Sequence, residues 1–190
     1  MEGPTKILGL AGSLRKQSFN RSLLRAAVNL VPQGAQLDTF ELDDIPLFNQ
    51  DHEREPPHPV RAFKAAVKAA DAILIVTPEY NYSVPGVLKN AIDWASRPYG
   101  DNAWDGKTVG VMGASVGTLG TARAQYHLRQ MFVFLNMFPL NQPEVMIAQA
   151  EDKFDPEGNL KDQITTQKIR ELLETLTEWT KSLQKSKTLG

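Results

Sequence analysis

The sequence predicts a doubly wound α/β fold built on a parallel sheet, and three observations carry that prediction. Short apolar runs alternate with stretches of helical periodicity along the chain. One of these runs, Ala72-Ile-Leu-Ile-Val-Thr77, is continuously apolar, as a strand covered on both faces must be. It is followed at once by Pro78-Glu-Tyr-Asn-Tyr-Ser-Val-Pro85. A polar, aromatic loop leaving the carboxyl end of a buried strand occupies the place where open α/β sheets hold flat ligands.

The elements follow in order. Residues 6–11 form a short apolar strand ending at Gly12, and residues 20–31 carry Leu23, Leu24, Ala27, Val28 and Val31 at helical spacing before Pro32 and Gly34 stop the helix. Residues 36–41 alternate as a second strand, and a polar, proline-rich crossing from 43 to 59 leads to a helix over 60–70. The stretch Pro56-Pro-His-Pro59 reads as a stiff surface crossing. The third strand covers 72–77, and a helix begins at Pro85, where proline suits the first turn because no amide donor is needed there. Residues 108–113 make the fourth strand, followed by a glycine-rich loop and a helix over 121–136, and residues 145–148 supply the fifth. The last helix carries Ile164, Ile169, Leu172, Leu173, Leu176, Trp179 and Leu183 on one stripe, able to cover a sheet face. Five strands alternating with helices imply a flavodoxin-like sheet in the order 2-1-3-4-5, with helices on both faces.

Composition bounds the function. With 190 residues, 42% of them apolar, the chain suits one well-buried domain spanning 1–190. A net charge of -1 offers no cationic face for nucleic acid. The opening Met-Glu-Gly-Pro-Thr-Lys lacks the apolar core of a signal peptide, and no run approaches membrane-spanning length, so a cytoplasmic protein is expected. The absence of cysteine excludes disulfides, thiolate nucleophiles and iron–sulfur clusters. Any redox chemistry must come from a borrowed cofactor, and no metal site is expected.

Three loops share the carboxyl edge of the sheet. In Gly12-Ser-Leu-Arg-Lys-Gln-Ser-Phe-Asn20, the groups Ser13, Ser18 and Asn20, the unpaired amides of a helix start and the charge of Arg15 make a seat for one phosphate. It is neither a G-x-G-x-x-G dinucleotide loop nor a Gly-Lys-Ser/Thr triphosphate loop. Ser18 and Asn20 are equally suited to capping the helix. In the second loop, backbone amides can bond the polar edge of a heterocycle while Tyr80 and Tyr82 flank its face, or the tyrosines can pack on neighbouring helices. Glu79 reads as a solvated or helix-directed carboxylate ahead of a proton-transfer group. In the third loop, Gly113, Gly117 and Gly120 beside Ser115 and Thr118 permit close approach of backbone to ligand, or simply a tight turn.

The first-loop segment, residues 77–94 and Gly120-Thr-Ala-Arg-Ala-Gln-Tyr-His-Leu-Arg-Gln130 together resemble the NADPH-dependent FMN reductase family, in its quinone and chromate reductase branch. The resemblance runs from Lys6 to about Glu144. It implies a flavodoxin-like fold holding FMN, reduced by NADPH or NADH, that passes electrons to quinones and other acceptors such as chromate, azo compounds or free flavin. It also implies a homodimer or homotetramer. By position it places Ser13, Arg15, Ser18, Phe19 and Asn20 around the FMN phosphate. Pro78, Glu79, Tyr80 and Asn81 would line the isoalloxazine and ribityl chain, with Ser115 and Gly117 at the far edge of the ring. Lys16, Arg21 and Arg25 offer charge for the extra phosphate of the nicotinamide nucleotide, although solvated surface charge is the stronger reading of each.

Hydride chemistry on the flavin needs alignment and stabilising dipoles more than a side-chain acid or base, so no catalytic residue is assigned. Tyr80 and Tyr82 are acceptor-site contacts, and either these hydroxyls or water supplies a proton to a quinone. The helix over 121–136 and the residues after it are apolar on nearly every side, through Tyr126, Leu128, Met131, Phe132, Val133, Phe134, Leu135, Met137 and Phe138, which suits cover by a partner subunit or a central helix overlaid by the C-terminal segment. His127 and Arg129 read as interface or surface groups. Two other classes stay open. A flavodoxin-type electron carrier would share the fold and cofactor without turning over NAD(P)H, and a scaffolding domain would bind no flavin.

Overall fold

The computed structural model describes residues 3–188, with Met1 and Glu2 of the opening segment outside that range. Eleven principal elements alternate along the chain: β1 (Thr5–Ala11), α1 (Phe19–Asn29), β2 (Ala35–Phe40), α2 (His58–Ala69), β3 (Ala72–Val76), α3 (Gly86–Ala95), β4 (Thr108–Ala114), α4 (Ala122–Leu135), β5 (Phe138–Pro139), β6 (Val145–Ile147) and α5 (Gln163–Thr188). The sheet runs β2-β1-β3-β4-β5, with β6 also paired to β4, and every pairing is parallel. This is the expected flavodoxin-like order.

The strand period of two sorts side chains into two cores. Leu8 and Leu10 of β1, Ile73 and Ile75 of β3, and Val109 and Val111 of β4 point to one face, where α2, α3 and α4 cover them with Phe63, Trp94, Leu128 and Phe132. Ile7, Leu74, Val76 and Met112 point to the other, beneath Leu23 and Leu24 of α1 and Ile169, Leu172, Leu173 and Leu176 of α5. Two strand glycines let those helices come close. A β-carbon on Gly9 would lie 2.7 Å from Leu24 Cδ1, and one on Gly110 would lie 3.2 Å from Leu176 Cδ2.

Three expectations are corrected. The fifth strand position is shared: β5 pairs with Thr108 and Val109 at the start of β4, and β6 pairs with residues 112–114 at its end. Pro139 and Pro143 bring no amide hydrogen to the ladder, so one continuous strand cannot form there, and a two-residue strand leaves no period to read. Pro85 is the residue before the first helical turn of α3, extended at ψ 144°, and its carbonyl accepts from Leu88 and Lys89. On α5, Ile164 is 68% and Trp179 38% exposed. The buried stripe runs through Thr165, Ile169, Leu172, Leu173, Leu176, Thr177 and Thr180, so Ile164 and Trp179 lie to the side of it and face outward.

Candidate functional site

β1, β3 and β4 lie side by side, so the chain segments leaving their carboxyl ends must converge. They enclose a cavity of about 200 Å³ lined by Ser13, Arg15, Ser18, Phe19, Asn20, Pro78, Glu79, Tyr80, Ala114, Ser115 and Val116. Every residue expected to contact the cofactor is among them except Asn81 and Gly117.

The first loop is organised by its own hydroxyls. Ser18 caps α1, its Oγ accepting from the Asn20 amide at 3.2 Å, and Ser13 Oγ accepts from the Arg15 amide at 3.4 Å. Asn20 has a different task from phosphate binding. Its side-chain amide donates to the Ala114 carbonyl at 2.9 Å and accepts from the Ala114 amide at 2.8 Å, both in the interior. Asn20 therefore pairs with the last residue of β4, past the end of β3, and ties the first loop to the start of the third. Arg15 is left exposed, and its guanidinium donates to the Gln17 carbonyl at 2.8 Å.

The second loop is a tight hairpin. Tyr80 and Ser83 exchange both backbone hydrogen bonds, at 3.1 and 3.0 Å, across Asn81 and Tyr82, which both have positive φ, 51° and 66°. Two successive left-handed residues define a type I′ turn, a conformation asparagine tolerates and tyrosine rarely adopts. Contacts with α4 hold it. The Glu79 carboxylate is turned away from the cavity and accepts from the amides of Arg123 at 3.0 Å and Ala124 at 3.2 Å, at the start of α4, where negative charge is favoured. Its other oxygen is paired with the Arg123 guanidinium. Glu79 is thus the helix-directed carboxylate that the sequence favoured, and only its backbone is offered to a ligand. Partial burial works against the Arg123 charge, but hydrogen bonding and attraction from Glu79 outweigh it and raise that group's pKa above its ordinary value. The same guanidinium lies 3.5 Å from the centre of the Tyr82 ring, so Tyr82 packs on α4 and is absent from the cavity wall. Ser83 Oγ and His127 Nδ1 share a hydrogen bond of 2.9 Å, one helical turn further on.

The glycines of the third loop divide. A β-carbon on Gly113 would collide with the Thr121 hydroxyl and the Thr77 carbonyl, and one on Gly120 would lie 2.9 Å from the backbone of Met146. These two serve packing of the chain against itself. Gly117 alone faces open space, with its amide held by Ser115 Oγ at 3.1 Å. Val116 and Leu119 are more than half exposed.

The geometry fits a planar, phosphate-bearing cofactor. Among the described residues, the amides of Ser13, Glu79 and Val116, one from each loop, donate to no atom of the chain. They border one cavity, lined also by the exposed Arg15 and by Tyr80, which is 51% exposed. No group of three or more His, Asp or Glu among the described residues is placed to hold a metal ion. Sequence reasoning missed Arg123, Ser83 and His127 as supports. The available signal was Glu79 beside a cationic residue in the first turn of the next loop's helix.

The fold and loop constellation define a flavodoxin-like protein with its ligand edge at β1, β3 and β4. Residues 5–152 match the NADPH-dependent FMN reductase family, and the chain belongs to that family. It is 48% identical to an NAD(P)H-dependent FMN reductase of Pseudomonas aeruginosa, over 97% of this chain and 100% of that protein. It is 43% identical to a 2-hydroxy-1,4-benzoquinone reductase of Burkholderia sp, over 92% and 95% of the two chains. Its structure superposes on that of FerB, a flavoenzyme NAD(P)H:(acceptor) oxidoreductase of Paracoccus denitrificans, with a TM-score of 0.85 and 33% identity, covering 94% and 98% of the two chains.

Proposed function

We propose that this chain is a single FMN-binding domain that oxidises NADPH or NADH and delivers the electrons to quinones. The carrying observation is the one cavity shared by three loops, with unpaired amides from each and a cation at one end. Family membership and the names of the relatives support the same reading. In it, Arg15, Ser13 and the start of α1 hold the FMN phosphate, while Ser18 and Asn20 shape that seat. Pro78, Glu79, Tyr80, Asn81, Ser115 and Gly117 frame the rest of the cofactor through backbone and ring contacts.

Bound FMN supplies the two-electron chemistry that the chain itself lacks. The protein's share is to fix the ring plane with the stapled hairpin and to aim preplaced amide dipoles at its polar edge. An open cavity rim suits a quinone, and chromate or azo acceptors would follow from the same openness. Tyr80 stands where an acceptor enters, and Tyr82 serves by buttressing the hairpin.

The reading also includes a homodimer or homotetramer in the cytoplasm. Tyr126, Val133 and Phe134 of α4 are 51%, 83% and 74% exposed and recur at i, i+7 and i+8, and Leu47 is 86% exposed. Such a stripe is the surface a second copy covers. None of the helices among the described residues is long and apolar enough to cross a membrane.

The test is the absorbance of the purified protein before and after anaerobic NADPH, followed by turnover with a quinone and no second protein. A yellow band that bleaches, with steady turnover, is expected. Colourless protein that takes up no added FMN would defeat the reading, and bleaching without turnover would make it a carrier. Sedimentation at micromolar concentration should show a dimer or larger, and Phe134→Glu should yield monomer.

A further inference from the structure

The hairpin of residues 78–83 holds a conformation that its own sequence resists. A type I′ turn needs positive φ at both central residues, and Asn-Gly is the pair that adopts it most readily. Here the pair is Asn81-Tyr82, with φ of 51° and 66°. Asparagine enters the left-handed region without much strain, but there the tyrosine β-carbon is crowded by the carbonyl oxygen that follows it. Such a turn persists only where contacts outside it hold it in place.

One face of α4 supplies those contacts. At the first strand of the hairpin, Glu79 accepts from the amides of Arg123 and Ala124 and from the Arg123 guanidinium. At the second, Ser83 Oγ and His127 Nδ1 share their hydrogen bond of 2.9 Å, in which either atom can donate. Arg123 and His127 are four residues apart, so both supports stand on the same side of the helix. The strands are thereby pinned separately, the first by a carboxylate with three donors and the second by one bond between half-buried side chains.

The second support leads to the cavity. Ser83 exchanges both backbone hydrogen bonds with Tyr80, at 3.0 and 3.1 Å, and Tyr80 lines the cavity. The place of the Tyr80 ring therefore depends on where Ser83 is held. We propose that His127 is a positioning residue for the electron acceptor: by holding Ser83 it keeps the strained turn closed and the Tyr80 ring where a quinone is received. The inference rests on the quinone reductase reading of this cavity. His127 does not line the cavity, so it acts through Ser83 and Tyr80.

The test measures quinone kinetics in the FMN-loaded enzyme. His127→Ala should raise the KM for 1,4-benzoquinone roughly 5-fold while kcat stays within about two-fold, and His127→Asn, which returns a polar atom close to the place of Nδ1, should recover most of that loss. Ser83→Ala removes the same bond from the other side, so it should reproduce the change, and the double variant should be no worse than either single one. Where His127→Ala fails to fold, Ser83→Ala takes its place in both comparisons. The decisive background is Tyr82→Gly, which supplies the Asn-Gly pair and lets the turn keep its shape unaided. There, His127→Ala should alter the KM by less than about two-fold. A loss of equal size in both backgrounds, or an unchanged KM in both His127→Ala and Ser83→Ala, overturns the proposal. Either result with FMN bound leaves the flavin reading standing, whereas wild type that binds no FMN or turns over no quinone defeats that reading and this inference with it.

Discussion

The second and third loops border the same cavity and are supported in opposite ways. In the second, residues 78–83, polar groups are spent on the protein: Glu79 on the start of α4, Tyr80 and Ser83 on each other, Ser83 Oγ on His127, and the Tyr82 ring beneath Arg123. In the third, residues 115–120, the backbone is held by Ile147, Gln149 and Ala150, but Ser115 Oγ reaches only the Gly117 amide, and the Val116 and Leu119 side chains stand 58% and 56% exposed. One wall spends its side chains on the protein, and the other leaves them for a ligand to cover. A wall whose side chains are already committed fixes the plane of a flat cofactor at little ordering cost on binding.

The sharpest way to break this contrast lies at the root of the third loop. Gly113→Ala places a methyl group into the Thr121 hydroxyl and the Thr77 carbonyl, and the latter is backbone that cannot step aside. A loss of about 3 kcal/mol or more is expected, read as a fall in urea midpoint or as failure to fold. Wild-type stability in this variant would mean that the strand end is looser than described. Next comes Glu79→Ala, which strips two amides of α4 and the Arg123 guanidinium of their acceptor in a half-buried setting. It should cost about 2–3 kcal/mol and weaken FMN binding at least about 10-fold, because the hairpin loses its staple. Glu79→Gln, retaining an acceptor oxygen, should recover part of both. If FMN affinity survives Glu79→Ala, the preformed wall is not what holds the cofactor.

The same contrast explains what the sequence could and could not reveal. Strand order, helix positions and the three-loop edge were legible because burial on both faces forces apolar runs in the central strands. The residues of the cavity were legible because they follow from that order together with the family resemblance. Side-chain direction was legible only in part: Glu79 read as a helix-directed carboxylate, and it accepts from the Ala124 amide, whereas Asn20, a polar residue in the right loop, satisfies the backbone of the distant Ala114. Such long-range hydrogen bonds leave no local period. Gly113 and Gly117 look alike in sequence, and only the packing around each shows that the first cannot carry a side chain and the second can. On α5 the apolar residues Ile164 and Trp179 are exposed while Thr165, Thr177 and Thr180 are buried, a placement of threonines on the inner face that apolar spacing cannot show.

A smaller effect separates the two walls by pH. The third loop leans on the turn behind it, where the Ala150 amide donates to the Ser115 carbonyl at 3.1 Å and the Gln149 amide to Gly117 at 3.2 Å. That turn is tied to α5 by Asp162, which accepts from the Thr165 hydroxyl at 2.7 Å and amide at 2.8 Å and pairs with Lys153 at 3.0 Å. Those Thr165 hydrogen bonds, with help from Lys153, lower the Asp162 pKa to about 2. A depressed carboxylate stabilises the fold above its unfolded pKa, and this contribution is lost as pH falls from about 4 to about 2. Solvent screening leaves about 1 kcal/mol, so Asp162→Ala should lose that much at neutral pH and show a flatter stability profile in acid. An unchanged acid slope in the variant would remove Asp162 from the support of the third loop.

The smallest expected effect is the most discriminating about the open wall. A β-carbon on Gly117 meets nothing nearer than Ser115 Oγ at 3.6 Å, and the residue does not have the positive φ that would strain an alanine. Gly117→Ala should leave stability within ~0.5 kcal/mol of wild type. It adds a methyl group on the side of the loop left uncovered by the chain, so any consequence must appear in what the loop meets there. A raised KM for the quinone at constant FMN affinity would place the acceptor against this loop. Weaker FMN binding would instead make the loop part of the cofactor's own wall. Lost stability with neither change would show that the third loop is packed against the protein after all, and the contrast with the second loop would fail.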